Sequence, residues 1–279
     1  MSTYEGTDLE KFPVEIFDLE NLTELELYDC FPPSKKIEIP AAIGTLKSLR
    51  TFRLGLCKVT DLPETLGGLT KLTELNLDSA EQLQSLPKSL GKLTSLKRLE
   101  LQFTHRLKAL PESVGSLTKL QWLRARPSGL KSVPASLWKA KSLQWLALPD
   151  GVKQLPPGIS QLSKLAHLEL GVAALASIAD ELPKLEKLKK LELCLARATQ
   201  LPDVLEGLKI EELTLSAMGL TSLPPSVASL ANLTHLDVSS NELTELSAVV
   251  AQLPKLQYLS FRNNKLPPAE IRALKKFRR

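Results

Sequence analysis

The sequence predicts an α/β solenoid, with short parallel strands along a concave face and short helical segments along a convex face. The first observation is a strand-like hexapeptide with apolar residues at its first, fourth and sixth positions, which recurs eleven times. The second is a stretch of the form LPxxLxxLxxL, which recurs between the hexapeptides. One such unit cannot bury its own apolar face, so neighbouring units must stack and share a continuous core.

The eleven copies keep a nearly constant register, beginning at residues 22, 49, 72, 96, 120, 143, 165, 188, 210, 233 and 256. The alternation within each copy points its apolar residues inward and the residues between them towards the concave surface. At a strand spacing of about 4.8 Å, eleven parallel strands line an arc of roughly 50 Å. The recurring proline is expected to start each convex segment, because its fixed φ suits a first turn and its missing N–H is not needed there.

These motifs resemble the leucine-rich repeat family, in its intracellular type with repeats of about 23 residues and proline in LPxxLxxLxxL. Copies such as "LPETLGGLTKL" and "LPKSLGKLTSL" carry the resemblance, which extends over essentially the whole chain. It implies a curved, right-handed leucine-rich repeat solenoid. It says little about the partner, since repeats of this type occur in bacterial effectors, plant immune receptors and animal signalling scaffolds.

The two ends differ from the regular repeats. We expect a single domain over residues 1–279, with a partial repeat at 1–21, eleven repeats at 22–266 and a capping helix at 267–279. Tyr4 should lie near the strand of the partial repeat, and Ile271, Leu274 and Phe277 have the spacing of an apolar helix face. The segment "CFPPSKKIEIP" lengthens the first repeat and is expected to form a loop on the rim.

The slot three residues after the last strand leucine usually holds an asparagine that satisfies buried backbone groups of the turn. Here only Asn241 and Asn264 preserve it, so the middle turns should be less regular. Cys30 and Cys57 occupy this slot in adjacent repeats, where cysteine acts as a small buried hydrophobe. A disulfide or metal role is the alternative, although no CxxC spacing supports zinc. Cys194 falls on the outward side of its strand.

Composition and charge narrow the functional classes. The net charge of +5 comes from scattered lysines and arginines, which argues against a nucleic-acid partner. No apolar stretch is long enough to cross a membrane, so we expect a cytoplasmic protein without membrane insertion, delivered into a host cell if it is an effector. Three cysteines are too few for a disulfide framework.

A search for catalytic chemistry finds no convincing site. The three histidines are His105, His167 and His235, and the last two lie three repeats apart. They cannot share one metal ion or one substrate atom. No phosphate-binding glycine loop and no GxSxG motif is present. We therefore expect no enzyme activity, no cofactor and no metal.

The central repeats place unusual residues on the concave face. Trp122 and Trp145 hold the same strand position in adjacent repeats, and Trp and Arg are enriched where binding energy concentrates. The candidate partner-binding residues are Arg98, Glu100, Phe103, Trp122, Arg124, Arg126, Trp145, His167 and Glu169. The alternative is that the two tryptophans only stack and stiffen the sheet. Trp138 is expected to lie along the outside of the convex face.

These observations predict a non-catalytic module that binds a partner protein through its concave sheet. One alternative is a substrate- or ligand-recognition arm of a larger effector, ubiquitin ligase or immune receptor. Another is a binder of acidic polymers through Arg98, Arg124 and Arg126, which the interleaved carboxylates of Glu100, Glu169 and Glu192 oppose.

Overall fold

The computed structural model describes residues 2–5, 11–29, 36–194 and 198–275. Its fourteen strands, counted over these ranges, are β1 (Ser2–Glu5), β2 (Glu24–Tyr28), β3 (Lys36–Ile37), β4 (Thr51–Gly55), β5 (Lys58–Val59), β6 (Glu74–Asn76), β7 (Arg98–Glu100), β8 (Trp122–Arg124), β9 (Trp145–Ala147), β10 (His167–Gly171), β11 (Lys190–Cys194), β12 (Glu212–Thr214), β13 (His235–Asp237) and β14 (Tyr258–Ser260).

Twelve of these strands form one long parallel sheet, in the order β1-β2-β4-β6-β7-β8-β9-β10-β11-β12-β13-β14. Each strand pairs with its neighbour at equivalent repeat positions, so Trp122 of β8 is paired with Trp145 of β9. The predicted solenoid is therefore confirmed. Within the lengthened first repeat, the described residues are not a simple loop, because β3 pairs with β5 in a separate two-stranded sheet.

Short 3-10 helices line the opposite face of the described chain, at Val14–Asp18, Ala41–Thr45, Glu64–Gly68, Lys88–Lys92, Glu112–Ser116, Ala135–Lys139, Ile159–Gln161, Leu182–Lys184 and Pro225–Ser229. A proline with φ between −62° and −73° directly precedes most of them, as at Pro63 and Pro87. The recurring proline therefore starts the convex segment, as predicted from its restricted φ.

The core is a continuous stack of leucines that connects all the repeats. Leu99, Leu123 and Leu146 hold equivalent inward positions in β7, β8 and β9 and are fully buried. Burial of a leucine side chain contributes about 1.5–3 kcal/mol, so the repeated leucines are the main favourable contribution to folding. Because each repeat contacts its neighbours, this burial also fixes the register of the sheet.

Trp138 corrects one expectation. It occupies the position held by Gly67, Gly91 and Gly115 in earlier repeats, yet it is only 1% exposed, and its Nε1 donates to the carbonyl of Pro156 at 3.0 Å. A side chain at Gly67 would meet Ser89 of the next repeat at 2.6 Å. The residue opposite Trp138 is Gly158, with φ 110°, so the indole has room to enter the interior.

The turns after the strands show why asparagine is favoured there. The amide oxygen of Asn241 accepts the N–H groups of Met218 and Leu220, and its Nδ2 donates to the carbonyls of Leu215 and Val238. In an earlier repeat this slot holds Cys57, which is buried with its Sγ 2.9 Å from the carbonyl of Gly55. Cys30 and the side chain of Cys194 lie outside the described residues.

The middle repeats are irregular, as the incomplete asparagine ladder predicts. A residue with positive φ recurs in the same turn near both ends, at Asp29, Leu56, Ser79, Phe103, Ala217, Ser240 and Asn263. Between Phe103 and Ala217 the described chain lacks this feature at a non-glycine residue. In that interval β10 runs directly into helix α1 (Val172–Ala176).

The C-terminal repeat is covered on its convex side by two helices, α2 (Ser247–Val250) and α3 (Pro268–Lys275). Leu274 of α3 is buried, and Glu270 accepts the backbone N–H groups of Leu246 and Ser247. Phe277 lies outside the described residues. A groove of about 1250 Å³ remains beside β14, lined in part by half-buried Leu259 and Phe261. None of the helices in the described ranges has the length and apolar character that crossing a membrane requires.

Candidate binding surface on the concave face

Three rings from adjacent strands form a stack at the centre of the concave face, which we call the aromatic ladder. Trp122, Trp145 and His167 hold equivalent positions in β8, β9 and β10. The two indoles lie 4.0 Å apart between centroids at an angle of 23°, and Trp145 lies 3.5 Å from the imidazole at 28°. The guanidinium carbon of Arg98 lies 4.5 Å from the centre of the Trp122 ring. Parallel pairing therefore brings four of the predicted residues into contact.

The ladder is less exposed than its strand positions suggest. Trp122 and Trp145 are half-buried, and His167 is only 5% exposed. An outward position on a strand predicts solvent exposure only when neighbouring side chains do not cover it. Here each large ring covers the next, because parallel strands lie about 4.8 Å apart. The expectation that both tryptophans face solvent is therefore wrong, because both are half-buried. The stacking of the two rings, which was the alternative, is observed.

Three donors in this region have no acceptor among the described residues. They are the indole N–H of Trp122, the indole N–H of Trp145 and the Nε–H of Arg124, and all three atoms are buried. A buried donor without an acceptor costs about 1–3 kcal/mol. The arrangement is therefore not the one that would maximise folding stability, and such compromises are typical of functional sites.

Ion pairs hold the charged residues around the ladder. Arg98 contacts Glu100 at 2.5 Å, and Glu100 is only 2% exposed. Burial raises the pKa of Glu100, and the nearby Arg98 opposes that rise. Burial also raises the pKa of Asp78, which lies near Arg98 and Arg124. The centre of the face is therefore a compact network in which arginines compensate partly desolvated carboxylates.

A second ion pair spans the strand that carries Ala147. Arg126 lies two residues beyond the end of β8 and contacts Glu169 of β10 at 2.5 Å, with β9 between the two strands. Ala147 lies on the intervening strand and is fully buried. Asp150 is also close enough for Arg126 to oppose the rise in the pKa of Asp150 that burial causes. Arg126 thus links the end of β8 to β10 across the intervening strand.

Glu192 joins the site, although the sequence did not select it. In the register of β10 and β11 it lies opposite Glu169, and its Oε1 lies 3.2 Å from Nε2 of His167. The interaction with His167, followed by that with Lys190, lowers the pKa of Glu192 to about 2. The register of β10 and β11 could have indicated this contact, because it places a carboxylate diagonal to the histidine.

His167, Glu169 and Glu192 offer ligand atoms within 4.8 Å of one another, the type of cluster that can hold a metal ion. Their carboxylates already have cationic partners, since Arg126 contacts Glu169 and Lys190 contacts Glu192 at 2.7 Å. A metal ion would have to displace both cations, so these three residues are better described as part of an ion-pair network.

Phe103 is the predicted residue that lies apart from the ladder. It is 44% exposed, has φ 58°, and contacts His105 edge to face at 6.3 Å. Leu56 holds the same turn position two repeats earlier, with φ 52° and 43% exposure. Bulky residues are disfavoured at positive φ, and neither side chain is compensated by burial. Leu56 is a rim residue of the same kind that the sequence did not single out.

Similarity to known proteins agrees with this architecture. A protein-family model for a leucine-rich repeat region matches residues 99–209, and a second family model, for the leucine rich repeat, matches residues 208–266. Together they cover 99–266, more than half of the 279 residues. No curated protein sequence matches the chain significantly.

Many solved structures share the fold, among them two receptor structures. The leucine-rich repeat ectodomain of the Arabidopsis thaliana receptor kinase GASSHO1/SCHENGEN3, solved with CASPARIAN STRIP INTEGRITY FACTOR 2, is 25% identical with a TM-score of 0.56, covering 95% of this chain and 39% of that one. TLR13 in its complex with ssRNA13 is 23% identical with a TM-score of 0.67, covering 89% and 37%.

The leucine-rich repeat domain of the type III effector XopL is 22% identical with a TM-score of 0.57, covering 92% of this chain and 81% of that one. The chain thus spans less than half of the plant receptor and TLR13 chains and most of the effector domain. With its repeat register, its single long parallel sheet and both family matches, the chain belongs to the leucine-rich repeat proteins.

Proposed function

We propose that this protein is a non-catalytic interaction module whose partner protein binds the concave face at the aromatic ladder. The leucine-rich repeat fold is in general a scaffold for protein interaction. The observation that carries the proposal is the concentration of Trp122, Trp145 and Arg98 at the centre of that face. Tryptophan and arginine supply much of the binding energy in interfaces, most often near the centre of the contact.

The buried donors support binding over a purely structural stack. If the ladder only stiffened the sheet, the two indole N–H groups would gain from acceptors within the chain, yet the described residues provide none. A partner oxygen, reached by a small shift of either ring, would recover part of that cost. Side-chain rearrangement of this kind is common when interfaces form.

A module that binds acidic polymers is less well supported. Arg98 and Arg126, two of the three arginines that would contact phosphates, each already contact a glutamate of the same face. Phosphate binding would have to break these pairs. The alternative of a recognition arm within a larger effector, ubiquitin ligase or immune receptor would use the same surface of this chain. The receptor-kinase ectodomain solved in complex with CASPARIAN STRIP INTEGRITY FACTOR 2 is an example of such repeats within a larger protein.

We propose that the protein acts in the cytoplasm. Three cysteines in 279 residues are too few for a disulfide framework of the kind that secreted domains use. Delivery into a host cell is compatible with this composition if the protein is an effector.

The test is affinity capture with the wild-type protein and a Trp122→Ala/Trp145→Ala variant, followed by measurement of the affinity of any protein that only the wild type retains. Each tryptophan should contribute about 2 kcal/mol or more to binding, as central aromatic anchors do. Thr51→Ala, at the same strand position in β4, is the matched control and should bind normally. Retention of the same partners at equal affinity by the double variant would place the binding surface elsewhere.

A further inference from the structure

The concave face differs in charge from the rest of the chain. Its two outward rows in β2 and in β4 to β14 of the long sheet hold eight carboxylates, those of Glu24, Glu26, Glu74, Glu100, Glu169, Glu192, Glu212 and Asp237. The same rows hold four cations, those of Arg53, Arg98, Arg124 and Lys190. The face is thus acidic in a chain whose net charge is +5.

Acidity that is more accessible than that at the centre lies towards the C-terminal repeats. Glu100 and Glu169 near the centre are buried and contact Arg98 and Arg126, so a partner meets little of their charge. Beyond the centre, Glu192, Glu212 and Asp237 lie on β11, β12 and β13, and we call them the acidic patch. Lys190 contacts both glutamates, leaving three carboxylates against one lysine. The side chain of Glu212 is 46% exposed.

Two exposed rings border the acidic patch. His235 and Tyr258 hold the same strand position in β13 and β14, with centroids 5.7 Å apart and planes inclined by 29°. Tyr258 is 54% exposed, unlike the half-buried tryptophans of the ladder. A cation over an aromatic face is attracted by the ring quadrupole, and carboxylates nearby add Coulomb attraction for the same cation. Arg98 above Trp122 already shows this contact on the same face.

We propose that the partner contributes an arginine- or lysine-rich segment that binds across the acidic patch, with a cationic side chain against the ring of Tyr258. This inference rests on the proposed function, because it assigns the chemistry of the segment that extends from the ladder towards the C-terminal repeats. Opposite charges on the two surfaces favour encounter and fix the orientation of binding. An anionic partner would face repulsion from the same carboxylates.

Fluorescence anisotropy with a labelled oligo-lysine peptide tests the proposal, with oligo-glutamate of equal length as the opposite probe. Because the whole chain is cationic, nonspecific attraction favours oligo-glutamate, so tighter binding of oligo-lysine identifies a local acidic site. Glu212→Lys/Asp237→Lys should weaken oligo-lysine binding about tenfold, and raised salt should weaken it in the wild type. Tyr258→Ala should weaken it several-fold, by removing the ring without changing the charge.

Glu186→Lys/Glu206→Lys is the matched control, since it reverses the same number of charges at two exposed glutamates that lie outside the strands of the concave sheet. The proposal is overturned if oligo-glutamate binds more tightly, or if the double reversal in the acidic patch has no more effect than Glu186→Lys/Glu206→Lys. Circular dichroism establishes that each variant is folded. Capture with Trp122→Ala/Trp145→Ala separates the two proposals. If this variant loses the captured partners but the wild type does not bind oligo-lysine, only the basic segment is refuted. If the wild type binds oligo-lysine but the variant captures the same partners, only the role of the ladder is refuted.

Discussion

Trp122 and Trp145 stack on neighbouring strands with their ring centroids 4.0 Å apart, directly beside a core in which Leu123 and Leu146 are fully buried. The same two strands therefore carry an aromatic pair on one face and a leucine pair on the other. The two pairs should contribute differently to stability, because only the leucines fill space inside the solenoid.

Replacement of Leu123 by Ala should lower the free energy of unfolding by roughly 2–5 kcal/mol, since it leaves a cavity in the core. Trp122→Ala should cost about 1 kcal/mol, mainly from the lost stacking. Urea denaturation of both variants measures the difference. Equal destabilisation would show that Trp122 is a structural residue and that the ladder is not the binding surface.

The pair formed by Arg126 and Glu169 should be worth more than an exposed pair. Their side chains are 20% and 10% exposed, so Arg126→Ala would leave a largely buried carboxylate without its cation, at a cost of about 1–3 kcal/mol in unfolding free energy. Lys189→Ala, which removes a contact with Glu211 between side chains 55% and 47% exposed, should cost at most about 0.5 kcal/mol. Thermal or urea unfolding that ranks the two variants equally would contradict this account.

Stability should depend on acid through Glu192. Its pKa is about 2 in the folded protein against an ordinary value of 4.5, so its ionised form stabilises the fold above that ordinary value. This contribution is lost as the pH falls from about 5 towards 2. The difference in unfolding free energy between wild type and Glu192→Gln should therefore be largest near neutral pH and should shrink in acid. A difference that stays constant over this range would show that the carboxylate is not stabilised by His167 and Lys190.

Removal of the chain from Pro267 onward should destabilise the last repeats by roughly 2 kcal/mol or more, because it exposes apolar surface that α3 covers. Glu270→Ala should cost about 1 kcal/mol, since it removes the carboxylate that accepts from the N–H groups of Leu246 and Ser247 and from the Ser247 hydroxyl but leaves α3 in place. Differential scanning calorimetry compares the two with the parent chain. If the truncated protein melts at the parent temperature, α3 is not a cap.

The repeat period was sufficient to assign the strands and the inward leucines. Leu99, Leu123 and Leu146 could be placed in the core because a leucine that recurs at one strand position of every repeat packs against the equivalent leucine of the next repeat. The same argument placed Trp122, Trp145 and His167 in one row of the concave face. The position of the prolines at the start of the convex segments could be predicted in the same way, since the restriction of φ is a local property of proline.

The exposure of the concave residues was decided only in the tertiary structure. Whether Trp122 faces solvent depends on Arg98 and Trp145 on either side, and whether Trp138 is buried depends on Gly158 in the following repeat. Side-chain packing depends on volumes and rotamers contributed by segments about one repeat away, whereas strand position depends on local alternation alone. The sequence by itself therefore determined which face each residue occupies, and the folded chain determined which residues that face leaves accessible to a partner.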